Sequence, residues 1–98
     1  MYVDTLKAVE IIDHYGENHQ RYKAAEELSE LQTVILQDAN KDGKLSLDKI
    51  IEEIADVYVV LKQIELIYYI DDRDIQPIIN YKIERTIERM ESEKCSNE

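Results

Sequence analysis

Residues that interrupt helices are scarce in this sequence, which contains two glycines and one proline among 98 residues. Phenylalanine and tryptophan are missing, so tyrosine supplies every aromatic side chain. The alternation of apolar and polar residues that indicates β-strands is also lacking, whereas apolar residues recur at intervals of three and four. This spacing predicts an all-α protein, and the length is sufficient for one domain with a modest core.

Cysteine and positive charge are also in short supply. The single cysteine, Cys95, excludes a disulfide framework within the chain and favours a reducing, cytoplasmic location. Twelve basic residues against 22 acidic ones give a net charge of −10. Such a charge argues against nucleic acid and anionic membrane surfaces as partners. The N-terminal stretch has no signal-peptide pattern, and the most apolar run, residues 54–70, contains three charged residues and predicts no membrane span.

Four helices with short connections are predicted from the apolar spacing. Gly16 is placed to end the first helix, and Pro77 falls in the first turn of the fourth, where a missing N–H costs little. We expect one domain over residues 1–90 and a disordered tail over residues 91–98. The predicted helices cover residues 3–15, 18–37 and 47–70, with a fourth after the capping residues 71–74.

Two of these helices carry apolar stripes that are expected to face the core. On the second helix the stripe is formed by Tyr22, Ala25, Leu28, Leu31 and Ile35. The third helix is apolar over nearly its whole circumference, which is more than one small bundle needs to cover. The sequence therefore predicts that a second subunit completes the core.

Pairs of acidic residues stand inside both of these helices. Glu27 and Glu30 form one pair, and Glu53 with Asp56 forms the other. Residues three apart lie on one helix face with Cβ atoms roughly 5–6 Å apart, and packed helices approach to about 8–10 Å, so four carboxylates can converge. Two like charges about 4 Å apart repel by about 4 kcal/mol at an effective dielectric near 20, so such a cluster requires a cation. Carboxylate ligands favour Mg²⁺ or Mn²⁺.

The connection between the two acidic helices resembles a calcium-binding EF-hand loop over residues 38–49. Oxygen-bearing side chains occupy its positions 1, 3, 5 and 9, and Gly43 occupies position 6. The twelfth position departs from the pattern, because Lys49 stands where a bidentate glutamate belongs. A calcium-binding helical module remains an alternative function, as does a non-catalytic helical interaction protein with solvated acidic faces.

The order and spacing of the acidic residues resemble a known family. Glu26-Glu27-Leu-Ser-Glu30 followed by Glu53-Ile-Ala-Asp56 fits the EExxE…ExxD signature of MazG-type all-α nucleoside triphosphate pyrophosphohydrolases. Gly16 and Gln20 precede the first motif in the GxxxQ arrangement of that family. The similarity extends from about residue 15 to residue 70, more than half of the chain.

This resemblance implies a Mg²⁺-dependent enzyme (Mn²⁺ being an alternative) that cleaves a nucleoside triphosphate to the monophosphate and pyrophosphate. It also implies a homodimer or a dimer of dimers, with the nucleotide as the other partner. Glu26 or Glu30 is expected to accept the proton of the attacking water as a catalytic group. The residues that the resemblance implies are the metal ligands Glu27, Glu30, Glu53 and Asp56 and the substrate-binding residues Gln20, Lys23, Lys82 and Arg85.

Overall fold

The structure, a computed structural model, describes residues 2–41 and 47–96 of the chain. Within these ranges it is all-α, as predicted, with four helices and no strand. The helices are α1 (Thr5–Tyr15), α2 (Glu17–Asn40), α3 (Leu47–Ile67) and α4 (Asp72–Ser96). The predicted boundaries agree to within three residues, except at the end of α4. There the helix continues through residues 91–96, where the sequence predicts a disordered tail; Glu91, Glu93 and Lys94 are good helix formers.

Helices α2 and α3 pack along each other and α1 packs against both, whereas α4 packs against no other helix in the described residues. The small core lies among the first three helices. Over residues 72–95 of α4 no side chain is buried, and only Ile75 is half-buried. The buried apolar side chains are Ala8, Ile12, Ala24, Val34, Val57, Val60 and Ile67.

A single residue, Gly16, joins α1 to α2. Its N–H donates to the Ile12 carbonyl at 2.7 Å and its carbonyl accepts from Gln20 at 3.1 Å, so it ends one helix and begins the next. Its φ of 94° and ψ of 153° lie in a region that is essentially restricted to glycine. A Cβ at this position would contact nothing within 4 Å, so backbone strain alone would resist substitution.

We therefore expect Gly16→Ala to lower the free energy of unfolding by about 1–3 kcal/mol. Urea denaturation followed by circular dichroism measures the change. The control is Ala39→Gly, at an exposed position in the last turn of α2. It should cost less than about 1 kcal/mol. A smaller loss for Gly16→Ala than for Ala39→Gly would contradict the strained connection.

The face that α2 turns inward is not its apolar stripe. Of the five stripe residues only Leu31 is half-buried, whereas Tyr22 is 78% exposed and Leu28 and Ile35 are about half exposed. The buried positions of α2 are Gln20, Ala24, Glu27 and Val34. The prediction that the stripe faces the core of the chain is therefore wrong. The reason is that α3 presents polar side chains, Glu53 and Gln63, to the same seam, and the polar flank of α2 packs against them.

The turn from α3 to α4 contains a residue in the left-handed region. Tyr69, with φ of 55°, follows the end of α3. The Ile70 N–H donates to the Glu65 carbonyl at 2.8 Å, and the Tyr69 N–H donates to the Leu66 carbonyl at 3.3 Å. These two bonds form the Schellman arrangement that commonly closes a helix, and this turn directs the chain away from the three-helix core.

The side chain of Glu65 lies at this same turn, against Asp72 of α4. Burial raises the pKa of the Glu65 carboxyl above 4.5, and a hydrogen bond with Asp72 together with the Asp72 charge raises it further. A raised pKa in the folded state contributes stability that is complete below the unfolded-state pKa and is lost as the pH rises through the folded-state pKa. Glu65→Gln mimics the protonated form, so its melting temperature should exceed that of wild type increasingly from pH 5 to pH 8. Glu84→Gln, exposed on α4, provides the control; equal curves for all three proteins would contradict the expectation.

Candidate metal centre

The seam between α2 and α3 brings carboxylates from both helices together. Oxygens of Glu27, Glu30 and Glu53 lie within 4.8 Å of one another. Glu27 and Glu53 are buried, with 7% and 4% of their surface exposed, whereas Glu30 is exposed at the rim. The structure thus places three of the four predicted metal ligands in one cluster, which we name the acidic cluster.

Asp56, the fourth predicted ligand, stands beside the acidic cluster. It is half-buried and lines the same concave surface as Glu27. Burial raises the pKa of the Asp56 carboxyl, and the charges of Glu27 and Glu53 raise it further. The pKa of Glu30 is raised as well, in this case mainly by the charge of Glu27 and secondly by desolvation. Each shift includes a smaller contribution from the opposite helix, that of Glu27 on Asp56 and that of Glu53 on Glu30.

Two lysines supply part of the balancing charge. The Lys23 Nζ lies 3.2 Å from the Glu27 Oε1, and the Lys49 Nζ lies 2.9 Å from the Glu53 Oε1. Hydrogen bonding to these glutamates is the first cause of the raised pKa of each lysine. Each ammonium reaches only one oxygen of its partner. The other oxygens, the Glu27 Oε2 and the Glu53 Oε2, are buried without a hydrogen-bond partner in the described part of the chain.

The chemistry of this donor set fits a hard divalent cation. Buried polar atoms in native proteins are almost always satisfied, so two unpartnered carboxylate oxygens in one cluster require an explanation. Four carboxylates face two ammoniums, one of which also pairs with Glu26, so at least two negative charges are uncompensated, as many as one divalent ion balances. Oxygen donors alone suit Mg²⁺ or Mn²⁺ rather than a thiolate- or imidazole-bound metal. The residues present therefore fit the predicted ion.

A buried pair of amides borders the cluster. The Gln20 Nε2 donates to the Gln63 Oε1 at 2.8 Å, and the Gln20 Oε1 accepts from the His19 Nδ1 at 2.7 Å. Gln63 is 1% exposed and Gln20 is 4% exposed. Gln20 and Lys23 line the concave surface that also contains Glu27 and Asp56, and so two of the predicted substrate-binding residues adjoin the cluster.

The remaining predicted site residues lie elsewhere. Glu26 is exposed, and its carboxylate lies 3.8 Å from the Lys23 Nζ on a concave surface beside Gln20, but it is not one of the three carboxylates that converge in the acidic cluster. Lys82 and Arg85 are exposed on α4, which does not pack against α2 or α3 within the described residues. Within one chain, therefore, neither Lys82 nor Arg85 is brought to the acidic cluster.

The structure describes the two ends of the EF-hand-like stretch, and residues 42–46 lie outside the described residues. Asp38 and Asn40, at its positions 1 and 3, belong to α2. Lys49, at its position 12, belongs to α3 and is paired with Glu53. Both ends are therefore helical, and the lysine at position 12 pairs with a carboxylate of the acidic cluster.

Two residues of this site, Lys49 and Gln63, were not predicted as site residues. The sequence does indicate a role for Lys49, because it precedes Glu53 by four residues and the two side chains are therefore neighbours on one face of the helix. Gln63 is a polar residue at the spacing of the buried positions Val60 and Ile67. A polar residue on the inward face of an apolar helix needs a partner, but the sequence does not show which one.

Comparison with known proteins adds no relative. No protein-family model, no curated protein and no solved structure matches this chain. In the described residues, no helix has both the length and the apolar character needed to cross a membrane.

Proposed function

We propose that this chain is a Mg²⁺-dependent nucleoside triphosphate pyrophosphohydrolase of the type that its acidic motifs resemble. The observation that carries the proposal is the acidic cluster: three carboxylates from two helices within 4.8 Å, two of them buried with an unpartnered oxygen. Two unpartnered oxygens within one group of carboxylates favour a bound cation over an ion-pair network alone, because a metal site requires free lone pairs.

The residues of the chain divide the work of such a reaction. Glu27, Glu30, Glu53 and Asp56 would hold the cation, which supplies charge neutralisation for the triphosphate and polarises the attacked phosphoryl group. Lys23, beside the cluster, is placed to bind a phosphate oxygen. Glu30, exposed at the rim and with a raised pKa, is better placed than Glu26 to accept a proton from water.

The large accessible surface of the chain, which includes many exposed apolar side chains, supports a proposal of self-association. The accessible surface is 7988 Å², whereas a compact monomer of 11.6 kDa exposes about 5800 Å². The radius of gyration is 17.4 Å, against roughly 13 Å for a compact domain of this length. We propose that a second copy of the chain covers this surface. Lys82 and Arg85 could then approach the acidic cluster only from the partner or by movement of α4.

Product analysis tests the proposed reaction. The purified protein is incubated in Mg²⁺ with a panel of canonical and modified nucleoside triphosphates, and the products are separated by ion-exchange chromatography. We expect one or more substrates to yield the monophosphate and pyrophosphate, and chelation of Mg²⁺ to stop the reaction. Release of orthophosphate and a diphosphate would contradict the proposed bond, and the absence of turnover for the whole panel would count against an enzyme.

A further inference from the structure

The position of Lys49 is not explained by the stability of its own helix. Lys49 is the third residue of α3, where the positive end of the helix dipole disfavours a cation. Its partner Glu53 follows it by four residues, and this order is the weaker orientation for a helical ion pair. Local helix energetics thus favour a different residue at this position. The presence of Lys49 is instead explained by the negative charge of the acidic cluster, which its ammonium balances.

The Lys49 ammonium also lies where a cation bound to the Glu53 Oε1 would lie. Its Nζ lies 2.9 Å from the Glu53 Oε1, the distance of a charge-assisted hydrogen bond, while the Glu53 Oε2 has no partner in the described residues. A cation that used Glu53 as a bidentate ligand, or approached it from the side of Oε1, would meet this ammonium. Glu53 cannot leave instead, because its side chain is 5% exposed, whereas that of Lys49 is 51% exposed and free to move outward.

There is room for the displaced ammonium next to the cluster. Lys49 lines a concave surface of about 310 Å³ together with Ser29, Glu30, Thr33 and Glu53. Lys23 lies at a different concave surface of the cluster, beside Glu27. The two lysines therefore flank the acidic cluster on separate surfaces, and they are the cations of the described residues that pair with its carboxylates.

We propose that Lys49 exchanges partners during the ligand cycle of this site: it neutralises Glu53 when no divalent cation is bound, is displaced when the cation binds, and then binds a phosphate oxygen of the ligand. This inference rests on the proposed function and adds to it a second phosphate-binding residue on α3. The chain carries a net charge of −10, so an ammonium released beside the site reduces the repulsion that a polyphosphate would meet.

Two binding measurements test the exchange in the full chain. Mn²⁺ affinity is measured without nucleotide by electron paramagnetic resonance of the free ion, and pyrophosphate affinity is measured by calorimetry in saturating Mg²⁺. The variants are Lys49→Met, which keeps the length and removes the charge, and Lys49→Arg, which keeps the charge. Lys7→Met, an exposed position of α1, controls for the change in net charge.

We expect Lys49→Met to bind Mn²⁺ several-fold more tightly, because a competing charge is gone, and to bind pyrophosphate about tenfold more weakly. Lys49→Arg should remain within about threefold of wild type for pyrophosphate, since it retains the charge. The melting temperature offers a separate readout. In chelator the melting temperature of Lys49→Met should lie below that of wild type, and in saturating Mn²⁺ the two should be equal. If the lysine had only a structural role, its replacement by Met would lower the melting temperature equally in chelator and in saturating Mn²⁺.

The outcomes separate this inference from the function on which it rests. If wild type binds Mn²⁺ and hydrolyses a nucleotide while Lys49→Met behaves as Lys7→Met in both binding measurements, the exchange is overturned and the enzyme stands. If Lys49→Met binds Mn²⁺ more tightly but pyrophosphate equally well, the phosphate-binding step is overturned. If wild type binds no Mn²⁺ at the acidic cluster, as judged against Glu53→Gln, both proposals fail together.

Discussion

Glu53→Gln is expected to remove the proposed Mg²⁺-dependent hydrolysis of nucleoside triphosphates, with a loss of roughly 1,000-fold in rate, as for other single groups that stabilise transition-state charge. The amide keeps the size of the side chain and one oxygen but removes the negative charge that a cation requires. Glu53 is the member of the acidic cluster with the least exposed surface, so no other carboxylate can take its position. Activity is measured as pyrophosphate release at saturating substrate.

The same variant should remain folded and should be no less stable than wild type in chelator. Its Oε1 can still accept a hydrogen bond from Lys49, while the repulsion between Glu53 and the carboxylates of α2 disappears. Saturating Mn²⁺ should raise the melting temperature of wild type and leave that of Glu53→Gln unchanged. A loss of activity without this loss of ion response would point to a folding defect instead of a metal ligand.

Glu52→Gln is the matched control for this experiment. It makes the same chemical change one residue away on α3, but the side chain is exposed and lies outside the acidic cluster. We expect its activity and its Mn²⁺ response to stay within about threefold of wild type, as is usual for exposed positions. Equal losses in Glu52→Gln and Glu53→Gln would mean that net charge, and not coordination, governs the reaction.

The second large effect concerns the exposed apolar side chains of α2 and α3. We define the apolar flank as Leu28, Ile35, Ile51, Tyr58 and Leu61, which are 40–55% exposed. Leu28 and Glu30 are two residues apart and so point roughly 200° apart around α2, which places Leu28 on the side of this helix away from Glu30. Covering it with a second copy would therefore leave access to the cluster.

Leu28→Lys and Ile35→Lys are each expected to weaken self-association by about 100-fold or more, because burial of an apolar anchor is lost and a charge would have to be desolvated. Sedimentation velocity over a range of concentrations measures the change. Gln37→Lys adds the same charge at an exposed position of α2 outside the flank and should associate as wild type does. A wild-type chain that sediments as a monomer at high concentration would contradict the proposed self-association.

Local features of this fold follow from residues close together in sequence. Gly16 marks the junction of α1 and α2 because it occupies a backbone conformation that other residues rarely adopt. The intervals of three within each acidic pair place its members on one helix face, whatever the helix packs against. For this reason the helix boundaries were predicted to within three residues, except at the end of α4, and Glu27, Glu30 and Glu53 were three of the four residues predicted to converge.

Contacts between distant residues were decided only by the tertiary structure. The apolar stripe of α2 identifies side chains that avoid water, but it does not say whether this chain or another covers them, and α3 covers the polar flank instead. The hydrogen bond between Gln20 and Gln63 spans 43 residues and has no signal in the pattern of either helix. Helical periodicity is set by backbone hydrogen bonds within one element, whereas the choice of an inward face depends on how two surfaces fit together.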